Sequence, residues 1–261
     1  MAAQPERRTA PRAIRLASES RVMLELGATA AVAPWLRRLR AGDGHPVLVL
    51  PGFLAGDTST APMRNILRSQ GYSVHRWHLG RNRGPTADVV AGLVDRLEHL
   101  HARHGEPVSV VGWSLGGIYA RRLARSRPEM VRQVITMGSP YRPLDDERPA
   151  VSAVYDRFRH PLAPSIDDLM PHVDPTPLSV PTTSIYSRTD GVVRWWQCIE
   201  PAGDRRENVE VRSSHTGLVV NPAVLVAVGD RLATPPDEWH PFRPPRRLRS
   251  WFPPAADGRF A

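Results

Sequence analysis

The stretch Val108-Ser109-Val110-Val111-Gly112-Trp113-Ser114-Leu115-Gly116-Gly117 decides the fold of this chain. Its first four residues predict a buried strand, and the residues from Leu115 to Ser126 predict a helix that begins soon after it. The pattern Gly-x-Ser-x-Gly between them is a sharp turn that exposes the serine hydroxyl and aims the helix amino end at a reacting oxygen. Side chains at positions 112 and 116 would clash with neighbouring backbone there. Ser114 is therefore the candidate nucleophile, and the alternative is a glycine-rich turn kept for packing.

Short apolar runs alternate with helical patterns along most of the chain. Further strands are predicted at Val47–Leu50, Tyr72–Leu79, Val134–Met137, Thr183–Tyr186 and Val209–Val211. Further helices are predicted at Met63–Gln70, at Ala87–His104 and from about Pro222 to Leu232. Because this alternation is typical of βαβ units, we expect an α/β fold with a mostly parallel central sheet flanked by helices.

Changes in composition divide the chain into three parts. Residues 1–43 are predicted to form a tail, disordered over 1–12, and a helical segment that is interrupted near Pro34. Residues 44–235 carry the α/β domain, and residues 236–261 form a tail rich in Pro and Arg. Within the domain, residues 141–180 hold one helical stretch, Val151 to Arg159, and predict a small cap or lid. We expect this cap to lie over the carboxyl ends of the strands, where such sheets bind ligands.

A serine nucleophile needs a base, which follows it along the chain when a serine turn sits between a strand and a helix. His215, in Ser213-Ser214-His215-Thr216-Gly217, lies between the last predicted strand and the last predicted helix. The other histidines fall before the nucleophile, in the predicted cap or in the tail that follows the domain. His215 is therefore the predicted base.

The acid that orients this base is expected between the serine and the histidine in chain order. Asp190 comes four residues after Tyr186, the last residue of the fifth predicted strand. Its carboxylate would accept a hydrogen bond from His215 and stabilise the imidazolium. The alternative is an ordinary Asp-Gly turn, and Asp174 and Glu200 are the substitute acids.

Two backbone amides are expected to bind the negatively charged oxygen of the reaction intermediate. One belongs to Leu115, the residue after the nucleophile, and the other to Phe53 in the loop after the first strand, with Gly52 providing the turn. Asp57 in the same loop is predicted to cap a helix that begins near Thr58.

Four motifs together resemble bacterial α/β-hydrolase esterases and lipases. They are Val49-Leu50-Pro51-Gly52-Phe53, Gly112-Trp113-Ser114-Leu115-Gly116-Gly117, Thr189-Asp190-Gly191-Val192-Val193 and Ser214-His215-Thr216-Gly217. The similarity spans about residues 44 to 232 and is nearest to a triacylglycerol-lipase-like branch that also resembles GPI inositol-deacylases. It implies hydrolysis of carboxylic esters through an acyl-serine intermediate, with no cofactor and no metal. The loop at Gly52 lacks the His-Gly-Gly-Gly sequence of some relatives, which argues against bulky tertiary-alcohol esters.

Several apolar residues are predicted from their positions to border the nucleophile and to bind an acyl chain or aromatic group. They are Phe53, Leu54, Trp113, Tyr141, Val192, Val193 and Trp195. For Trp195, packing on a helix face is an equal alternative. The expected substrate is a small-molecule or lipid ester.

The net charge of +9 does not point to nucleic acid, because all 35 basic residues are Arg and no nucleic-acid-binding motif accompanies them. The lone Cys198 cannot form an intramolecular disulfide and is expected to be a small core residue. No stretch has the length and apolarity of a transmembrane helix, so a cytoplasmic enzyme is expected.

The tail from Trp239 to Phe252 mixes aromatic residues with Arg. It is predicted to lie on the domain, and a weak peripheral contact with an anionic membrane surface is the alternative.

Two other functions remain open from the sequence. An acyltransferase would use the same serine, histidine and acid with an acceptor other than water. A non-catalytic binding module would be expected to carry a damaged set of these residues, and no damage is visible. A dehalogenase would want Asp at position 114 and is disfavoured by the serine.

Overall fold

The computed structural model describes residues 18–39, 42–142, 152–165 and 174–257. These residues form one sheet of six parallel strands in the order β2-β1-β3-β4-β5-β6. The strands are β1 Pro46–Leu50, β2 Ser73–His75, β3 Val108–Trp113, β4 Val131–Met137, β5 Thr182–Tyr186 and β6 Arg206–Glu210. The α/β fold expected from the sequence is confirmed, and the sheet is entirely parallel.

The helices of the described residues cover both faces of this sheet. They are α1 Val22–Leu36, α2 Ala61–Ser69, α3 Ala87–His104, α4 Leu115–Ser126, α5 Ser152–Phe158 and α6 Pro222–Leu232. Helix α3 begins after Thr86, whose side chain accepts from the amide of Val89, and ends at Gly105 in the left-handed conformation. Helix α6 begins in the same manner after Asn221, whose side chain accepts from the amide of Ala223.

Alternate residues of the central strands feed two separate hydrophobic layers. On β1, Val47 and Val49 pack with α2 and α6, whereas Leu48 and Leu50 pack with α3 and α4. All four side chains are fully buried, which confirms the prediction of a strand buried on both faces. Because all six strands are parallel, their carboxyl ends share one edge of the sheet, between the two layers of helices.

Strand β2 is shorter than the predicted run from Tyr72 to Leu79 because the Asp57 carboxylate takes over two backbone amides. Its Oδ1 accepts from the amide of Trp77 at 3.1 Å and its Oδ2 from the amide of His78 at 3.3 Å. The prediction that Asp57 caps a helix is therefore wrong. Helix α2 begins after Thr60 and has no side-chain cap at its amino end.

The segment before β1 packs onto the last helix of the domain. A 3-10 turn, Ser18–Arg21, leads into α1, which contains Pro34 without being interrupted by it. The inner face of α1 packs against α6 and against the 3-10 turn Thr216–Val219, and its Thr29 hydroxyl donates to the carbonyl of Val220. None of the described helices has the length and apolarity needed to span a bilayer.

The predicted cap is only partly within the described residues. Helix α5 lies in it and matches the expected helical stretch, while 143–151 and 166–173 fall outside the described ranges. The tail after α6 follows the surface of the domain. The Phe242 ring contacts the Phe252 ring, and the Phe242 amide donates to the Glu207 carboxylate. The predicted disorder of residues 1–12 also falls outside the described residues.

Candidate active site

Ser114 occupies the turn between β3 and α4 with a φ of 53°, a backbone conformation that is costly for a residue other than glycine. Its amide donates to the carbonyl of Met137 at 2.9 Å, and its own carbonyl accepts from the amide of Gly117 at 2.9 Å. These two bonds hold the strained turn in place. The turn presents the partly exposed Ser114 at the carboxyl edge of the sheet.

The glycines around Ser114 are required by close backbone contacts. A Cβ atom at Gly112 would collide with the carbonyl of Gly116, and one at Gly116 would collide with the carbonyl of Leu50. The expectation that side chains at 112 and 116 would clash is confirmed. The same crowding brings Gly52 against Ser114, since a Cβ atom at position 52 would lie 3.2 Å from the Ser114 Cβ.

The structure brings Ser114, His215 and Asp190 into one chain of hydrogen bonds. His215 Nε2 lies 3.0 Å from Ser114 Oγ, and His215 Nδ1 lies 2.6 Å from Asp190 Oδ2. The second carboxylate oxygen of Asp190 accepts from the amides of Val192 and Val193, each at 2.8 Å. Since both oxygens of Asp190 are engaged, its side chain has a fixed orientation toward the imidazole.

Burial and charge act in opposite directions on the imidazole of His215. Burial by itself would lower the pKa of His215, because it disfavours the charged form. The charge and the hydrogen bond of Asp190 outweigh burial and, with the charge of Glu19, raise the pKa above its ordinary value. The site therefore stabilises the imidazolium that forms when the histidine takes a proton.

Trp113 and Gly138 contact the acid–base pair in ways that the sequence does not predict. Trp113 donates its indole N–H to the main-chain carbonyl of His215 at 3.0 Å, and the two rings lie 5.9 Å apart. Gly138 is the residue after β4 and has a φ of 56°. It lies so near the acid and the base that a Cβ atom there would be 3.2 Å from Asp190 Oδ2 and 3.3 Å from His215 Nδ1. The sequence feature that points to Gly138 is its position directly after a buried strand that neighbours the strand before Ser114.

The loop that carries the Phe53 amide lies beside the serine, and the Leu115 amide follows the serine directly. The amides of Phe53 and Leu115 make no hydrogen bond to another described residue, whereas the amide of Leu54 donates to the carbonyl of Asn82 at 2.7 Å. The Asn82 side chain in turn donates to the carbonyl of Pro51 at 2.9 Å and accepts from the Tyr119 hydroxyl. Asn82 thus fixes the loop while the Phe53 amide stays available.

The residues expected to line a substrate pocket have unequal surroundings. Phe53, Leu54 and Val192 are half-buried, and the Phe53 ring packs on Tyr155 of the cap at 4.7 Å. Trp113 and Val193 are buried beside His215 and Asp190.

Tyr141 and Trp195 are engaged in the interior. Tyr141 is fully buried, with Arg121 over its ring and its hydroxyl donating to the carbonyl of Cys198. Trp195 stacks on Tyr186 and lies under Arg188. Neither side chain offers surface to a substrate in this conformation.

The substitute acids have other partners. Glu200 forms a buried ion pair with Arg121, and Asp174 pairs with Arg125 at 2.6 Å. Cys198 is a free, buried thiol whose pKa is raised by burial, which confirms its prediction as a core residue.

A second arrangement of the same three residue types lies at the opposite edge of the sheet. His45 contacts Asp43 through Nδ1 and lies 2.8 Å from Ser109 Oγ through Nε2. Ser109 is fully buried, and burial lowers the pKa of His45. A buried hydroxyl cannot meet a substrate, so these three residues stabilise the ends of β1 and β3.

Other features of the described residues lie away from Ser114. No three His, Cys, Asp or Glu side chains there converge as they would around a metal ion. A cavity of about 180 Å³ lies between α3 and α4 and contains none of the expected pocket residues.

The parallel sheet, with the serine turn after β3 and the acid and base after β5 and β6, defines an α/β-hydrolase fold. Two solved lipolytic structures share it. The lipase B of Aspergillus fumigatus has a TM-score of 0.55 and 18% identity over 75% of this chain and 54% of that one. A structure of the metagenome-derived lipolytic enzymes LipS and LipT has a TM-score of 0.55 and 20% identity over 74% of this chain and 93% of that one.

Among curated proteins, the human serine hydrolase BPHL is 29% identical over 130 residues, 46% of this chain and 43% of that protein. The chain therefore spans less than half the length of this relative. No protein-family model matches the chain. The structural neighbours include lipases and other lipolytic enzymes of the α/β-hydrolase fold, whereas the narrower resemblance to bacterial enzymes and GPI inositol-deacylases stays a prediction.

Proposed function

We propose that this chain hydrolyses carboxylic esters, with Ser114 as nucleophile, His215 as general base and Asp190 as the group that orients the base. The observation that carries the proposal is the hydrogen-bond chain from Ser114 Oγ through His215 to Asp190. A serine hydroxyl becomes a useful nucleophile only when a base is within hydrogen-bond reach, and 3.0 Å meets that requirement.

The reaction then follows from the positions of these groups. Ser114 Oγ attacks the ester carbonyl while His215 Nε2 takes its proton, and the amides of Phe53 and Leu115 bind the resulting oxyanion. The imidazolium returns the proton to the departing alcohol, which leaves an acyl-serine. Water, deprotonated by His215, attacks the acyl group, and the imidazolium returns the proton to Ser114 Oγ as the acid leaves. Asp190 keeps Nδ1 protonated, so Nε2 faces the reaction at every step.

The relatives support the class of reaction. One is named a serine hydrolase, and two solved neighbours are named a lipase and lipolytic enzymes. The half-buried apolar residues Phe53, Leu54 and Val192 near the serine turn support an ester with an apolar acyl group of short to medium length. No cofactor is required by this scheme.

The test compares Ser114→Ala with Ser126→Ala, a matched control at the far end of helix α4. Both variants are assayed on p-nitrophenyl esters from acetate to palmitate, with circular dichroism as the check on folding. Ser114→Ala should reduce kcat about 10⁴-fold or more with the fold intact, while Ser126→Ala should keep wild-type turnover. Turnover that survives in folded Ser114→Ala would overturn the assignment.

A further inference from the structure

Two carboxylates from the segment before β1 reach the loops that carry the acid and the base. Glu19 lies in the 3-10 turn Ser18–Arg21, and Glu25 lies in the first turns of α1. Glu19 accepts hydrogen bonds from backbone amides that follow β5 and β6, and Glu25 accepts from one that follows β6. Charged acceptors of this kind form the stronger class of hydrogen bond in proteins.

Glu19 joins the acid loop to the base loop through a single carboxylate. Its Oε1 accepts from the amide of Gly191 at 2.9 Å and from the amide of His215 at 2.8 Å. Its Oε2 accepts from the amide of Thr216 at 3.0 Å. Gly191 is the residue after Asp190, so Glu19 fixes the backbone next to both members of the pair.

Glu25 holds the same base loop one residue earlier. Its Oε1 accepts from the amide of Ser214 at 2.8 Å, and its Oε2 accepts from the Ser214 hydroxyl at 2.6 Å. A Cβ atom at Gly217 would collide with the Glu25 carboxylate, so this glycine is needed for the approach. Glu25 is the one charged residue in the sequence of α1, and its charge is directed into this contact.

We propose that Glu19 and Glu25 are positioning residues: both hold the loop of His215 at reacting distance from Ser114, and Glu19 also holds the loop of Asp190. The proposal rests on the hydrolase function above. Glu19 also adds negative charge beside the imidazole, in addition to Asp190. Other groups around the imidazole are Ser114, the Trp113 ring and Gly138, and Glu25 approaches through Ser214.

The first test replaces each carboxylate by its amide, which keeps the size but loses charge and acceptor capacity. Glu19→Gln should lower kcat about tenfold with little change in KM, and the acidic limb of the pH–rate profile should move to lower pH. Glu25→Gln should lower kcat and leave the limb in place. The exposed Glu129→Gln is the matched control and should match wild type in both readouts.

A second readout does not depend on turnover. In a Ser114→Ala background, NMR titration of the His215 imidazole should show a lower pKa when Glu19→Gln is added. An unchanged titration together with an unchanged kcat would overturn the proposal, as would a loss confined to thermal stability. If no ester is turned over by the wild type, the proposed function fails while the titration still decides the role of Glu19.

A separate observation concerns the outer face of α1. Met23 is 70% exposed, Leu24 is 75% exposed and Trp35 is 40% exposed. The other exposed residues of the helix are also apolar or small: Leu26, Gly27, Ala28, Ala30, Ala31 and Pro34. A helix that is apolar on all sides is normally buried, so we expect another molecule to cover the outer face of α1.

Arginines border one end of this apolar face. Arg37 and Arg38 follow α1 directly and are exposed. Trp35 contacts Trp251 edge-to-face at 6.5 Å, and Trp251 ends a 3-10 turn, Arg246–Trp251, with three exposed arginines. Apolar area next to positive charge is complementary to the surface of an anionic bilayer, where the acyl region lies below the phosphates.

We infer that the outer face of α1 binds the surface of a membrane containing anionic phospholipid. A second copy of the chain is a poorer occupant, since the exposed residues of its α1 include no acidic side chain that could pair with these arginines. The same helix holds the base loop through Glu25 on its inner face, so one helix would separate a bound bilayer from that loop.

The test is co-sedimentation with vesicles of phosphatidylcholine, alone or mixed with phosphatidylglycerol. Binding should require phosphatidylglycerol, weaken at high salt, and fall at least about tenfold in Met23→Ser/Leu24→Ser. Leu162→Ser is the matched control, because Leu162 is 78% exposed in the cap, away from α1, and should bind as wild type does. Equal binding by the double variant, or no binding to anionic vesicles, would overturn the inference. A dimer in light scattering that the double variant abolishes would assign the face to a second copy instead.

Discussion

Trp113 donates its indole N–H to the main-chain carbonyl of His215 at 3.0 Å, so the residue before the candidate nucleophile supports the backbone of the candidate base. The bond links the ends of β3 and β6, which lie three strands apart in the sheet. It therefore sets the separation of Ser114 and His215 independently of the hydrogen bond between their side chains.

Replacing this indole tests that relationship. Trp113→Phe keeps an aromatic ring but removes the indole donor, which leaves the His215 carbonyl with only the longer bond from the Leu218 amide at 3.4 Å. We expect kcat to fall about three- to tenfold, since one hydrogen bond contributes about 0.5–1.5 kcal/mol. Steady-state kinetics on a p-nitrophenyl ester measures this, and urea unfolding gives the accompanying loss of stability. Trp251→Phe, at a partly exposed position in the tail, should leave kcat as it is.

Asp190→Asn should remove the charge that stabilises the imidazolium and should favour the wrong tautomer of His215. A fall in kcat of about 10³- to 10⁴-fold is expected. The acidic limb of activity should also move to lower pH, because Asp190 is the main group that raises the pKa of His215. A pH–rate profile of purified variant and wild type measures both. A smaller effect than that of Asp174→Asn would contradict the choice of acid.

The wild-type pH profile follows from the same groups. His215 accepts the Ser114 proton only when its imidazole is neutral, so activity falls as pH drops through the pKa of His215. Since that pKa is raised, the midpoint of the acidic limb of kcat/KM should lie above about 6.5, the ordinary value for histidine. Initial rates at sub-saturating substrate across pH 5 to 9 measure the limb. A midpoint below the ordinary value would contradict the electrostatics described for the site.

Two glycine substitutions should change stability in opposite directions. Gly27 lies in exposed α1, where an added methyl group would meet no atom within 4 Å, so Gly27→Ala should raise the unfolding free energy by about 0.5–1 kcal/mol. Gly116→Ala would push a methyl group into the carbonyl of Leu50 and should lower it by more than about 2 kcal/mol. Urea denaturation of both variants measures the difference. Equal stabilities would contradict the crowding described around the serine turn.

The sequence predicts the parts of this fold that depend on local pattern. Helices α3, α4 and α6 have the predicted bounds, and a capping side chain marks the amino ends of α3 and α6. Strand β6 begins three residues before its predicted start at Val209, because it is an edge strand whose Arg206 and Glu207 are partly exposed and interrupt the apolar run. A pattern search finds buried strands more readily than such edges.

The candidate site also has residues that the sequence predicts and residues that it does not. Ser114, Asp190 and His215 follow strand ends in a recognisable order, so chain position alone selects them. Glu19 and Glu25 carry no such signal, because their partners lie far along the chain and depend on how α1 packs. Asp43, His45 and Ser109 show that a set of contacts is not sufficient evidence for a reactive site. Their residue types and contacts match those of a reactive serine site. The burial of Ser109 distinguishes them from such a site.

The contacts of Glu19 and Glu25 also constrain the order in which the protein can fold. They span 172 to 197 residues of sequence, so those with the base loop close only after β6 has left the ribosome. Contacts of such long range are slow to form, because the chain between them must first lose its conformational freedom. Until then, α1 exposes apolar surface on both faces and the acid and base loops lack their anchor. Completion of the site should therefore be one of the last events of folding.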